Sequence, residues 1–223
     1  IAYSLSRRPR GGGISQNDLD IMNRELMTID PLRFDGLAPE EIVRAIFCDT
    51  YSKMACGKTI VGEKYNELLF YLPQVQALFP KAQYIFLWRD YMDVAESMVR
   101  TFHDLPWGPK NCSHAVAKWA EWNLRWLDAR GQISRELRLE LRYEDFVLNT
   151  EHVLKAVARF LRVDNAGFNI KEISAALRRE RLGTGKAVAI DWSEVTRLTP
   201  HFSTVSQALS RTRRVTTSKH ARI

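Results

Sequence analysis

A short apolar run that ends in two charged residues constrains the fold of this chain more than any other feature. Residues 83–88 read QYIFLW and are apolar on both faces, as expected of a central strand in a parallel sheet. Arg89 and Asp90 follow at once, and Asp90 is well placed to cap a helix that runs to Phe102. A buried strand that turns directly into a helix is the building unit of α/β folds, so the sequence predicts that class.

The rest of the chain continues this alternation. Two further strands are predicted at Lys58–Gly62, which is expected to be buried, and at Arg138–Leu141. Helices are predicted at Ser15–Leu26, Pro39–Met54, Asn66–Leu78, Ser113–Ala129 and Thr150–Leu161, with a kink or boundary at Pro73 and short helices beyond Asp164. Trp119, Trp122 and Trp126 share one helix face, which indicates a core stripe. We therefore expect a parallel sheet flanked by helices.

The net charge of +7 lies at the two ends of the chain and not in its body. Residues 1–10 carry +3 and residues 211–223 carry +5, which leaves −1 for residues 11–210. Because a nucleic-acid-binding domain needs a basic face on its folded part, we expect no nucleic-acid partner. We predict a single domain over residues 1–210 and a basic, disordered tail over residues 211–223. No apolar run approaches the roughly 18 residues that a membrane span requires.

Polar clusters follow all three predicted strands, at the edge where open parallel sheets bind ligands. They are Gly62-Glu63-Lys64, Arg89-Asp90 and Arg142-Tyr143-Glu144-Asp145. Arg89 offers a planar fork of donors that suits a phosphate group, and Ser97 lies two helical turns further on. Taken alone, Arg89 and Asp90 are equally well explained as a structural ion pair.

The segment around Arg89 resembles a motif of the sulfotransferases that use 3'-phosphoadenosine 5'-phosphosulfate (PAPS). Residues 78–97 read LFPKAQYIFLWRDYMDVAES, and the family pattern is FPxAKxIxLxRDPxDVxxS. In that family the arginine and the serine bind the 3'-phosphate of PAPS, so the resemblance implies this role for Arg89 and Ser97. Tyr91 stands where the family usually has proline, which relaxes the turn without removing a ligand. The implied architecture is the P-loop-like sulfotransferase fold.

Two further segments resemble sulfotransferase motifs in the expected order. Residues 62–64 (GEK) are similar to the start of the GEKTP motif, whose lysine lies near the transferring sulfuryl group, which implies a catalytic role for Lys64. Glu63 is the carboxylate that we nominate as the base. Residues 142–146 (RYEDF) with 160–161 (FL) resemble the RYEDL…FL signature, which makes Tyr143 a candidate for nucleotide binding. Glu144 and Asp145 are interpreted as structural.

The resemblance covers roughly residues 58–163, and its margins are weaker. Residues 181–185 (RLGTG) with Asp191-Trp192 are only faintly similar to the last nucleotide-binding loop of the family, at a different spacing. The family's first phosphate-binding loop, of the PKSGTT or PRSGTT kind, has no counterpart here. Residues 8–13 (RPRGGG) are the nearest candidate, but the helix that follows from Gln16 is too polar for the buried first helix of this fold. We therefore expect that loop to be encoded upstream of this chain.

The resemblance implies in-line transfer of a sulfuryl group from PAPS to an acceptor hydroxyl or amine, without a metal. The five histidines show no ligand spacing; they are His103, His114, His152, His201 and His220. One alternative from another class is a non-catalytic nucleotide-binding or interaction protein, derived from a sulfotransferase that lost its donor loop. Such a protein would bind adenosine 3',5'-bisphosphate without turnover.

The acceptor and the cellular compartment are predicted from weaker features of the sequence. We expect a small-molecule or carbohydrate acceptor, held by variable loops such as residues 28–38 and 104–113. The three cysteines (Cys48, Cys56 and Cys112) show neither a disulfide framework nor a CxxC pair, which favours reduced thiols and a cytoplasmic location.

Overall fold

The computed structural model describes residues 35–54, 60–62, 64, 66–164 and 167–212. By its contacts the chain divides into two compact units, residues 1–80 and residues 81–223. The predicted helix Ser15–Leu26, Glu63 and residues 213–223 of the predicted tail lie outside the described residues. The single domain over residues 1–210 stays a prediction.

The regular secondary structure described in the first unit is helical. Helix α1 spans Pro39–Met54, as predicted, and its start is stabilised by the Glu41 carboxylate, which accepts the Ala38 main-chain N–H at 3.0 Å. A 3-10 helix over Asn66–Tyr71 leads into α2, Leu72–Leu78, with Pro73 in the first turn of α2. The predicted helix over residues 66–78 is therefore divided close to Pro73, because proline is accommodated best at a helix start.

The prediction of a buried strand at Lys58–Gly62 is wrong for the residues that the structure describes. Residues 60–62 have no regular secondary structure, and residues 58 and 59 lie outside the described residues. The side chains of Ile60 and Val61 are exposed, whereas a β-branched run in a parallel sheet is stabilised by burial on both faces. The sequence pattern alone does not reveal that these two side chains are exposed.

In the described part of the second unit, two parallel strands form a sheet. Strand β1 is Tyr84–Trp88 and strand β2 is Arg138–Arg142, with Tyr84 paired to Arg138 and Trp88 paired to Arg142. Both strands were predicted, but the expectation that the first is covered on both faces is wrong. Among the residues that the structure describes, Ile85 and Leu87 are 43% and 48% exposed, whereas Phe86 on the opposite side of the strand stacks on Trp126.

The helices of the second unit follow the predicted order. Helix α3 is Tyr91–Phe102, α4 is Cys112–Ala129, α5 is Tyr143–Leu148, α6 is Thr150–Leu161, α7 is Ile170–Ala176, α8 is Trp192–Leu198 and α9 is Phe202–Ser210. Short 3-10 helices lie at Arg135–Leu137, Arg179–Arg181 and Thr184–Ala187. Strands and helices alternate, so the predicted α/β class with a parallel sheet flanked by helices is confirmed.

The core of this unit is built around α4. Ala95 of α3 and Ala115 and Val116 of α4 are fully buried, and these small side chains let the two helices approach closely. The predicted tryptophan stripe is core at two of its three positions: Trp119 and Trp126 are buried, while Trp122 is half-buried. Trp126 stacks on Phe86 of β1 with 4.6 Å between ring centroids, which fixes α4 against the sheet.

No helix in the described ranges is long and apolar enough to cross a membrane. Cys48 is an exposed free thiol and Cys112 is a half-buried free thiol, while Cys56 lies outside the described residues.

Candidate functional site

The carboxyl ends of the two strands meet, and they bring together two of the predicted site residues. Trp88 pairs with Arg142 at the end of the ladder, so the next residues along, Arg89 and Tyr143, become neighbours. The Arg89 guanidinium carbon lies 4.9 Å from the centre of the Tyr143 ring. At this distance the cation interacts with the face of the ring, which restricts the orientation of both side chains.

Arg89 is held from several directions. Its Nη2 donates to Asp93 Oδ2 at 3.3 Å and to the main-chain oxygen of Arg181 at 2.5 Å. Its own main-chain oxygen accepts from Trp119 Nε1 at 2.9 Å. The side chain is 20% exposed, and its Nε is buried without a hydrogen-bond partner among the described residues. The guanidinium is therefore fixed in place and still has an unused donor.

The partner of Arg89 is Asp93 and not Asp90, which corrects the ion pair that the sequence suggested. Asp90 instead caps α3, as predicted: its Oδ1 accepts the main-chain N–H of Met92 at 2.9 Å and of Asp93 at 3.4 Å. Since the Asp90 carboxylate is used at the helix start, the carboxylate one turn further along the helix reaches the guanidinium.

Asp93 is the group that the sequence analysis did not single out. Its carboxylate is 2% exposed and accepts the main-chain N–H of Gly183 at 2.8 Å and of Gly185 at 3.0 Å, besides Arg89. One usable signal was the spacing of four residues between Arg89 and Asp93, which is the spacing of helical ion pairs. The contact with residues 183–185 had no local signal, because those residues lie 90 or more positions away along the chain.

The segment over residues 181–185, which the sequence analysis weighted little, thus packs against the start of α3. Gly183 has a positive φ of 74°, and a Cβ at Gly185 would collide with the main chain of Met92. Both glycines are needed for this path of the chain. The segment therefore contributes a carbonyl to Arg89 and two amides to Asp93.

The remaining predicted site residues lie as follows. Ser97 is half-buried on α3, one turn beyond Asp93, so Arg89, Asp93 and Ser97 recur at intervals of four residues. Lys64 is an exposed residue of the first unit outside regular secondary structure. Glu63 lies outside the described residues.

Glu144 joins the two strand ends, in accord with its structural interpretation. Its Oε1 accepts the main-chain N–H of Asp90 at 2.9 Å. Its Oε2 lies 2.8 Å from Arg142 Nε, although the relative orientation of these atoms is not that of a hydrogen bond. This carboxylate keeps the residues after β1 and β2 in register.

Tyr91 stands where the sulfotransferase pattern usually has proline, and here its ring packs among other aromatic rings. Its ring centroid lies 5.6 Å from that of Trp119, 5.1 Å from that of Phe202 and 6.1 Å from that of Trp192. Burial, and secondly the nearby Asp90 carboxylate, raise the pKa of the Tyr91 hydroxyl above its ordinary value. The ring therefore anchors the first turn of α3 to α4, α8 and α9.

The cavities in the described part of the second unit include one at the strand ends and one along α4. One, of about 280 Å³, borders the strand ends and is lined by Trp88, Asp90, Trp119 and Arg142 among others. The other, of about 480 Å³, runs along α4 and is lined by Trp107, His114, Lys118 and His201 among others. In the part of the chain that the structure describes, no group of three or more His, Cys, Asp or Glu side chains could hold a metal ion.

Comparisons with known proteins agree with this architecture. A family model described as the sulfotransferase family matches residues 8–166, which extends further upstream than the motifs recognised in the sequence. A solved structure, the sulfotransferase domain from the curacin biosynthetic pathway, is similar with a TM-score of 0.53 and 21% identity. The match covers 75% of this chain and 68% of that one, and at this identity it shows the fold alone. No curated protein matches the chain.

Proposed function

The chain belongs to the sulfotransferase family, and we propose that it transfers a sulfuryl group from PAPS to an acceptor hydroxyl or amine. The observation that supports this proposal is the arrangement of side chains at the carboxyl ends of β1 and β2. Arg89 is fixed beside Tyr143, it has an unused buried donor, and Ser97 lies on the helix that follows. A fixed guanidinium beside an aromatic ring suits a nucleotide that carries a phosphate.

Three residues would hold the donor. Arg89 would donate charge-assisted hydrogen bonds to the 3'-phosphate, for which its unpartnered Nε is a suitable group. Ser97 would donate its hydroxyl to the same phosphate, and Tyr143 would contact the nucleotide. When bound, PAPS supplies the sulfuryl group and the bisphosphate leaving group.

Residues of this chain would then stabilise the charge that develops on the leaving group and take up the proton of the acceptor. A lone pair on the acceptor oxygen or nitrogen forms the new bond to sulfur, while the bond from sulfur to the 5'-phosphate oxygen breaks and leaves its electron pair on adenosine 3',5'-bisphosphate. Lys64 would offset the negative charge that grows on this oxygen, which is the main electrostatic demand of the reaction. Glu63 is the proposed base that takes the proton of the acceptor.

A small molecule or a carbohydrate is the proposed acceptor, held by variable loops that include residues 104–113. Residues 107–109 of this loop line the cavity along α4, so the loop borders a space that is open to a ligand.

Calorimetric titration with adenosine 3',5'-bisphosphate tests the proposal. We expect saturable binding that Arg89→Ala weakens at least about tenfold (about 1.4 kcal/mol). Arg125→Ala is the matched control, because it removes an exposed arginine of α4 whose side chain is half exposed. Equal binding by Arg89→Ala and Arg125→Ala would rule out the strand-end site, and a folded wild-type chain that does not bind the bisphosphate would contradict the proposed donor.

A direct assay on the full-length gene product then follows sulfuryl transfer from PAPS to a panel of phenols, alcohols, amines and sugars. Release of the bisphosphate that depends on the acceptor, and on Lys64 and Arg89, is the expected result. Binding of the bisphosphate without transfer to any acceptor would contradict the catalytic proposal.

A further inference from the structure

The Asp93 carboxylate is buried, and its contacts connect two distant parts of the chain. It lies in the first turn of α3 and is 2% exposed. Isolated buried carboxylates are strongly disfavoured, so such a group persists only where donors surround it. Here the donors are the Arg89 guanidinium and two main-chain N–H groups, of Gly183 and Gly185.

This set of donors requires a carboxylate at position 93. Oδ2 receives both Arg89 Nη2 and the Gly183 N–H, and Oδ1 receives the Gly185 N–H. A carboxylate accepts at both oxygens, whereas an asparagine of the same shape accepts at one and places an N–H₂ group at the other. Asparagine at this position would therefore put donor against donor at one of the two oxygens.

The same contacts determine the surroundings of the Arg89 guanidinium. Nη2 of Arg89 donates both to Asp93 and to the Arg181 main-chain oxygen. The position of that oxygen depends on the path of residues 181–185, and Asp93 holds this path through the two glycine amides. Both acceptors of Nη2 are thus fixed by one side chain, directly in one case and through the loop in the other.

We infer that Asp93 is a positioning residue for donor binding: it orients the Arg89 guanidinium toward the 3'-phosphate by pairing with it and by fixing residues 181–185 beside it. The inference rests on the proposed function, in which Arg89 binds that phosphate. A guanidinium that is oriented before the ligand arrives loses little conformational entropy on binding, and this raises affinity.

Simple electrostatics predicts the opposite effect for a change at this position. A carboxylate beside a phosphate site repels the phosphate, so its neutralisation alone would tighten the binding of the bisphosphate. Loss of positioning would weaken it. The sign of the change in affinity on Asp93→Asn therefore separates a positioning role from a mere background charge.

The test compares two nucleotides that differ only in the 3'-phosphate. We would measure the Kd of adenosine 3',5'-bisphosphate and of adenosine 5'-monophosphate by calorimetry, for the wild-type chain, Asp93→Asn and Glu151→Gln. Glu151→Gln is the matched control, since it neutralises an exposed carboxylate of α6 that pairs with Lys155. We expect the wild-type chain and the control to prefer the bisphosphate about tenfold or more, and Asp93→Asn to lose most of this preference.

A general loss of stability would weaken the binding of both nucleotides by the same factor, so the ratio of their Kd values reports on the 3'-phosphate alone. If Asp93→Asn does not fold, Gly185→Ala replaces it, because the added Cβ would collide with the main chain of Met92 and displace the loop while Asp93 remains. The same loss of preference is expected. An unchanged or increased preference in the folded variant overturns the inference and leaves the proposed function intact. A wild-type chain that shows no preference overturns the proposed function, and the inference with it.

Discussion

The side chain of Glu144 accepts the main-chain N–H of Asp90 at 2.9 Å, so the residue that caps α3 is tied to the start of α5. We expect Glu144→Ala to lower the free energy of unfolding by about 1–3 kcal/mol, because it leaves a half-buried N–H without its acceptor. Urea unfolding measures this loss. Glu121→Ala removes an exposed carboxylate from the middle of α4 and should change the midpoint little. Equal effects of the two substitutions would contradict a structural role for Glu144.

The contact between Arg89 and Tyr143 predicts a difference between two substitutions at the tyrosine. Tyr143→Phe keeps the ring under the guanidinium and should bind adenosine 3',5'-bisphosphate as the wild-type chain does. Tyr143→Ala removes the ring, and a cation–π contact of about 0.5–2 kcal/mol corresponds to a Kd about 2–30 times higher. Titration calorimetry measures both. If Tyr143→Phe binds as weakly as Tyr143→Ala, the hydroxyl and not the ring is responsible.

The start of α8 should make stability depend on pH in the acid range. The Ser193 hydroxyl, and next the Glu194 main-chain N–H, donate to Asp191 and hold the pKa of its carboxyl below the ordinary value. A carboxyl whose pKa is lower in the folded state stabilises that state above its unfolded pKa of about 3.9, and this contribution is lost as the pH falls through the folded pKa. Asp191→Ala should therefore lower the thermal midpoint near pH 7, and its difference from the wild-type chain should shrink below about pH 4.

Asp191→Asn provides the control for this pH dependence. Asparagine also caps helices but does not titrate in this range. The difference between Asp191→Asn and Asp191→Ala should thus stay constant across the acid range. If the difference in thermal midpoint between Asp191→Asn and Asp191→Ala itself changes with pH, another group titrates and the assignment to Asp191 is wrong.

The stacked pair of Phe86 and Trp126 predicts a large effect on stability. Trp126 is 2% exposed, and its Nε1 also donates to Glu140 Oε1 at 2.9 Å. Trp126→Ala should cost about 3–5 kcal/mol, since it leaves a cavity against β1; Glu140 Oε1 would lose one of its two donors and keep Arg130 Nη1. Trp107→Ala, at a position that is 52% exposed, should cost much less. Chemical unfolding followed by circular dichroism compares them, and similar losses would exclude Trp126 as the centre of the core.

Local patterns predicted much of the second unit. The apolar run at residues 84–88 and the capping aspartate after it gave the strand, the helix start and the direction of the chain between them. The rule that open parallel sheets bind ligands at the carboxyl ends of their strands predicted that the polar residues after both strands lie at one edge, where Arg89 and Tyr143 are in contact. These features depend on residues close in sequence or on a general property of sheets.

Features that depend on distant residues were not predictable in this way. The pairing of Arg89 with Asp93 requires that Asp90 be used by the helix start, and the glycine amides on Asp93 come from a segment about 90 residues later. The exposure of Ile85 and Leu87 likewise depends on what covers the sheet, which an apolar pattern cannot specify. Burial and partner choice are properties of the assembled fold, whereas helix and strand periodicity are properties of the segment.

The separation of Asp93 from Gly185 also has a consequence for the order in which the site is made during synthesis. The two residues are 92 positions apart, and at about 5–20 residues per second the ribosome needs roughly 5–18 s to add this length of chain. During that interval β1 and α3 can form, but the second acceptor of Arg89 Nη2 does not yet exist. A nascent or prematurely terminated chain that stops before residue 181 would carry the complete motif around Arg89 but lack the Arg181 oxygen, one of the two acceptors of Arg89 Nη2.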